Sequence, residues 1–240
     1  MVAARLSDVA PDDKATRITY GLLNLTHRDS HEHPELLEPH KRYRVQIRLN
    51  EVAQSFPAGH RLRLSLSTSY WPLAWPPPGP VRLTVYTGNS DLLLPVRPPR
   101  DEDPAMRPFE DPEGAPPTVR SQLAETHHNW YVTRDLENDV STLEVVRDEG
   151  RYRLEEIDLE VQDKTSEWYS YQADDFASLR GETCWVRGLK RGAWSVWTET
   201  RTVLTSDATH FHLHAELDAY EGDRRVYSRN WDHSIPRDHV

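Results

Sequence analysis

His210-Phe-His-Leu-His-Ala-Glu-Leu-Asp-Ala219 alternates strictly: Phe211, Leu213, Ala215, Leu217 and Ala219 against His210, His212, His214, Glu216 and Asp218. Successive side chains of a strand point to opposite faces of its sheet, so one face of this segment is apolar and the other is wet and ionisable. Parallel sheets are buried on both sides and seldom tolerate such a face; antiparallel ones do. The same period recurs toward the N-terminus. Tyr43, Val45, Ile47 and Leu49 alternate with Arg44, Gln46 and Arg48; Leu62, Leu64 and Leu66 with Arg61, Arg63 and Ser65; Val81, Leu83 and Val85 with Arg82 and Thr84. Ile157, Leu159 and Val161 repeat it with Asp158 and Glu160. The chain reads as all-β and antiparallel.

Breaks in the alternation give the organisation. Pro95 to Pro117 reads PVRPPRDEDPAMRPFEDPEGAPP, rich in proline and acid. Proline lacks the donor that a ladder needs and fixes φ, so residues 98–125 are expected to form a stiff connector. It separates a first β domain, residues 1–97, from a β-meander extension, residues 126–240, of about six or seven strands. Turns are expected at Asp148-Glu-Gly150, at Gly181, at Gly192 and at Glu221-Gly-Asp223. The phase slip between Leu154 and Ile157 suggests a β-bulge at Glu155–Glu156. Asp174 to Leu179 reads as a single helical turn.

Bulk properties narrow the function. With 39 acidic and 29 basic side chains the formal charge is −10. Phosphate backbones and anionic lipid reward the opposite sign, so nucleic acid and membrane are not expected partners. One cysteine, Cys184, leaves no internal disulfide to form. Met1 to Ala10 is too short and polar for a signal peptide, and no apolar run approaches the ~20 residues of a membrane span. A soluble cytoplasmic protein is the expectation. No motif implies a cofactor.

Gly-x-Ser-x-Gly, the strand-turn-helix elbow that presents a nucleophilic serine, is absent from the sequence. Cys184 sits in Glu182-Thr-Cys-Trp-Val186 and reads as a small packed residue rather than an activated thiolate. His27-Arg-Asp-Ser-His-Glu-His33 holds every residue type of a catalytic triad, but triads converge from distant segments. His31 and His33 could ligate zinc with Glu32 behind them, or line a solvated loop. His210, His212 and His214 share a face, as a metal-binding His-x-His strand requires; a wet sheet face collects the same residues. Aromatic runs at Trp168-Tyr-Ser-Tyr171 and Trp194-Ser-Val-Trp197 suit a core better than a sugar platform.

Four ordered motifs carry a resemblance. They are Arg5-Leu-Ser-Asp-Val-Ala-Pro-Asp12, Gly21 with Thr26-His-Arg-Asp-Ser30, Leu37-Glu-Pro-His40 before the Tyr43 segment, and Phe56-Pro-Ala-Gly-His-Arg-Leu-Arg63. Together they resemble the C-terminal domain of the cocaine-esterase and X-Pro dipeptidyl-peptidase hydrolases. Asp13 and His40 stand where that family has glycine, at positions expected to need φ > 0. The resemblance implies a galactose-binding-like jelly-roll β-sandwich, partial at its N-terminus because the family has β structure before the Leu6 motif. It also implies a place beside an α/β-hydrolase domain whose triad lies outside this chain. Residues 126–240 resemble an extension found in some of these hydrolases, ending in Trp231-x-x-x-Ile-Pro-Arg237.

The expected function is that of a non-catalytic accessory module whose partner is a hydrolase catalytic domain, upstream or on a separate chain. An exposed sheet edge should also favour self-association. The alternatives are a stand-alone sandwich binding a carbohydrate or other small ligand, and a metal-dependent enzyme built on His210, His212 and His214.

Overall fold

The computed structural model describes residues 1–239. It contains eleven strands and, among the described residues, no helix beyond four single 3-10 turns. All strand pairing is antiparallel. The first sheet has three strands in the order β2-β1-β3, with β1 Val2–Val9, β2 Ala15–Leu23 and β3 Arg61–Ser67. Val2, Ala3, Ala4, Leu6 and Val9 of β1 are buried, because β1 is central and covered on both sides.

The second sheet is a meander in which, from β5 onward, each strand pairs with the next. Its strands are β4 Arg120–Ala124, β5 His127–Asp135, β6 Val140–Leu154, β7 Leu159–Gln172, β8 Asp175–Arg191, β9 Trp194–Ser206, β10 His210–Glu221 and β11 Arg224–Pro236. The order runs β11-β10-β9-β8-β7-β6, and β5 and β4 share the remaining edge of β6 end to end. Turns form at Gly192 and Gly222, both at positive φ, as the sequence indicates.

Several local expectations are corrected. Asp148-Glu-Gly150 is not a turn but a bulge inside β6, where register slips between Asp148 and Arg151. Gly150 is required there: at φ 65°, a Cβ would stand 2.3 Å from the Ala124 carbonyl oxygen. The expected bulge at Glu155–Glu156 is instead the β6–β7 turn, a 3-10 segment closed by Asp158 at φ 48°. Turn and bulge exchange places because both break the alternation by one residue, and periodicity alone does not distinguish them. Gly181 lies within β8, and Asp174–Leu179 is not a helical turn: Ala173 and Asp174 make the β7–β8 turn, and Asp175–Leu179 begins β8.

Tyr43–Leu49 and Val81–Val85 are not strands in the structure, since neither joins a ladder. The alternation of the first segment survives in its burial: Tyr43, Val45, Ile47 and Leu49 are half-buried while Arg44, Gln46 and Arg48 are exposed. This segment runs beside β2. Asn50 N–H donates to Tyr20 O at 2.9 Å, and Thr19 Oγ1 donates to Asn50 O at 2.7 Å. Gly21 permits that approach, because a Cβ there would lie 2.1 Å from Arg48 O. Asp13 and His40 adopt φ 67° and 65°, so both substituted glycine positions do need the left-handed region.

Candidate functional site

Two surfaces of the long sheet differ in chemistry, and cross-strand register assigns their side chains. On one face, Tyr169, Gly181, Leu204 and Leu213 fall in a row. The segment after β3 folds over this end. Trp75 packs edge-on against Phe211 at 5.8 Å and against Trp71 at 4.9 Å, and Trp71 meets Tyr169 at 5.9 Å. The Trp75 ring also lies over Gly181, 3.9 Å from where a Cβ on that residue would be. Edge-to-face packing of this kind suits aromatic quadrupoles. Tyr169 donates its hydroxyl to Glu167 at 2.6 Å, and burial together with that carboxylate pushes its pKa up to about 12.

Arg237 locks the same seam. Its guanidinium is buried (3% exposed) over the Phe211 ring at 4.7 Å. It donates to Pro76 O at 2.6 Å, Asp207 O at 3.2 Å and Ser206 Oγ at 3.3 Å. The Trp231-x-x-x-Ile-Pro-Arg237 ending thus has a structural role: Ile235 and Pro236 finish β11 opposite Phe211 and His210, and deliver Arg237 across the seam.

The opposite face is ionic. Arg180 and Arg201 both donate to Glu182, at 2.6 Å each; Arg201 lies 3.9 Å from Glu216. His214 closes the ladder, with Nε2 2.8 Å from Glu216 and Nδ1 2.6 Å from Asp232. These carboxylates, Glu216 first, hold the imidazolium form to higher pH than an ordinary histidine. Cys184 lies beside this ladder; burial, then Glu182, raises its pKa, the reverse of what activates a nucleophile.

The three histidines of β10 therefore share a face without converging. His210 contacts Thr209 Oγ1 at 2.9 Å, His212 contacts Asp207 at 2.9 Å, and His214 lies between Glu216 and Asp232. His31 Nδ1 lies 3.3 Å from His27 Nδ1, while His33 faces Glu32 at 3.9 Å. Among the described residues, no group of three His, Cys, Asp or Glu side chains is placed to share a metal ion.

One constellation escaped the sequence reading. His212 Nε2 meets Asp207 Oδ2 at 2.9 Å and His212 Nδ1 meets Ser234 Oγ at 3.4 Å. These are the residue types of a serine hydrolase, in spatial contact. Asp207 accepts N–H bonds from Thr209 and His210 at the β9–β10 turn, which, with His212, holds its pKa well below the usual carboxylate range. The arrangement lacks what makes such a serine reactive. The contact to Ser234 is too long for a good hydroxyl hydrogen bond. Ser234 stands within regular strand β11, opposite His212, not on a tight turn or at a helix N-terminus that would aim N–H groups at an oxyanion. Only the β9–β10 and β10–β11 pairings bring the three together, so no local motif could have revealed them.

The described residues thus form antiparallel β sheets, the longer of which carries an ion ladder on one face. Residues 1–133, more than half the chain, match the model of the X-Pro dipeptidyl-peptidase C-terminal non-catalytic domain, and the chain belongs to this family. Over 69 residues, 29% of the chain, it is 32% identical to the cocaine esterase of Rhodococcus sp. (strain MB1 Bresler). That stretch spans 12% of the esterase. No solved structure matches.

Proposed function

We propose that this chain is the accessory β module of a serine α/β-hydrolase of the esterase, amidase or dipeptidyl-peptidase type, and that it docks on the catalytic domain through β3. The observation that carries this is an apolar surface where a core was expected. Leu62, Leu64 and Leu66 remain 48%, 43% and 39% exposed, on a strand whose outer edge has no ladder partner among the described residues. Leu64 and Leu66 stand opposite buried Leu6 and Ala4, so they extend a core face that the chain itself does not finish covering.

Contiguous exposed apolar surface beside an open edge marks an interface. A hydrolase domain is the occupant that the family supplies, since its members are the non-catalytic C-terminal part of X-Pro dipeptidyl-peptidases. Docked there, the module would bury the leucines and form one wall of the substrate cleft.

The test uses a serine-directed fluorophosphonate probe. The tagged chain, recovered from its native cell extract, should retain a protein that the probe labels, and Leu64→Glu with Leu66→Glu should release it. Labelling of the chain itself, concentration-dependent self-association with no labelled partner, or retention unaffected by the glutamates would each overturn the reading.

A further inference from the structure

We propose that two copies of this chain pair edge to edge through β5, antiparallel, in the register that sets Tyr131 opposite its own copy. This edge belongs to the long sheet and is separate from the β3 surface.

The long sheet ends in β11 on one side and in β5 and β4 on the other. Among the described residues, no strand pairs with the outer edge of β11 or of β5. An open edge presents unpaired N–H and C=O groups that template a further strand; charge or proline along the edge is the usual guard. β11 has that guard: Arg224, Arg225, Arg229 and Asp232 lie along it and Pro236 ends it. β5 has none across its middle. Asn129-Trp-Tyr-Val-Thr133 is uncharged, and all nine residues from His127 to Asp135 are exposed.

Trp130 and Val132 are 73% and 80% exposed. They stand opposite Val145 and Leu143 of β6, and Leu143 stands opposite Tyr169. Both therefore prolong the apolar face of the sheet out to its edge.

The order of residues along the strand selects a second copy as the occupant. Reversed about Tyr131, β5 complements itself. Trp130 falls opposite Val132 on each side of the axis, an aromatic–β-branched pair that stabilises sheets. Asn129 falls opposite Thr133, and His127 opposite the Asp135 carboxylate. His128 falls opposite Arg134, but each is already held within its own chain, His128 by Glu149 at 3.3 Å and Arg134 by Asp139. The formal charge of −10 does not oppose this contact, because β5 itself carries one Arg and one Asp. A slip by one residue would set the apolar face of one copy level with the ionic face of the other.

Sedimentation equilibrium of the whole chain at up to about 100 μM should show reversible dimers. Trp130→Glu with Val132→Glu places carboxylates on both sides of the axis and should weaken the dimer by roughly tenfold or more. Trp130→Lys with Val132→Lys should do the same. Mixing the two variants should restore a mixed dimer, which misfolded chains could not form. Leu64→Glu with Leu66→Glu, the variant that tests hydrolase docking, should leave the dimer intact.

Cross-linking in a Cys184→Ser background reads the register. Tyr131→Cys should form a disulfide dimer, because paired Cα atoms stand about 4.5–5.5 Å apart. Thr133→Cys should not, since the two copies of that position lie about 14 Å apart along the strands. A monomer at every concentration would leave the edge to another partner and overturn the proposal. So would a dimer that the β5 glutamates leave unchanged, or cross-linking through Thr133→Cys as fast as through Tyr131→Cys.

Discussion

Trp75 Nε1–H donates to Ser206 Oγ at 2.8 Å, joining residues 131 positions apart. Through this bond the segment after β3 is fastened to the end of β9, and Arg237 grips the same hydroxyl from β11. The first β region and the meander are thus held together by a seam whose residues are dispersed over most of the sequence.

That seam predicts a large effect for one side chain. Arg237→Ala leaves the Pro76 carbonyl without its donor and uncovers Phe211. Hydrogen bonds to a charged group contribute about 1.5–3 kcal/mol each, so a loss of about 3 kcal/mol is expected, read as a lower urea midpoint. Trp75→Phe keeps most of the ring packing and should cost only about 1 kcal/mol. Equal effects would place the stability of the seam in the aromatics alone.

Gly21 and His40 should respond in opposite directions. Gly21→Ala drives a methyl into the Arg48 carbonyl, 2.1 Å away, and should cost about 3 kcal/mol by overpacking. His40→Gly relieves a left-handed residue at φ 65° and should stabilise by up to about 1 kcal/mol. Asp13→Gly should gain less, since Asp tolerates that region and its carboxylate pairs with Arg61. Thermal midpoints of the three variants order these effects.

The ion ladder makes stability depend on pH at His214. Its folded pKa is raised, chiefly by Glu216 and then Asp232. The folded state therefore binds the proton more tightly than the unfolded chain does. The resulting stabilisation is complete below the unfolded histidine pKa of about 6.5 and disappears as pH rises through the folded value above it. His214→Gln should flatten the melting temperature across that window, and NMR titration of the ring should give a midpoint above an ordinary histidine's. A midpoint at or below the ordinary value would remove the ladder's role.

Purified chain should not hydrolyse activated esters, despite the Asp207–His212–Ser234 contact. Any residual turnover of p-nitrophenyl acetate should be the same in Ser234→Ala. A serine-dependent rate would make this contact a working site.

Much of the fold was legible because burial imposes a period. Phe211 to Ala219 lies in a long ladder, and its alternation specified strand, face and phase; of Ile157 to Val161 only Leu159 to Val161 joins a strand, since Ile157 and Asp158 form the turn before it. The glycine positions filled by Asp13 and His40 were legible for a related reason, since a turn that needs φ > 0 leaves its mark on residue choice. The failures share one origin. Tyr43 to Leu49 alternates like a strand, yet whether it joins a ladder depends on a neighbouring edge. The histidines of β10 share a face, yet whether they converge or pair off with carboxylates depends on β9 and β11.

The amino-acid order by itself determined an antiparallel β protein, its family motifs and the want of a nucleophile elbow, because periodicity, turn chemistry and short motifs act between residues close along the chain. Tertiary structure alone decided the Trp75–Ser206–Arg237 seam and the Arg180-to-Asp232 ion ladder. Each unites side chains brought within reach by strand pairing and packing, and hydrogen bonds and stacking act over a few ångströms of space, whatever the separation in sequence.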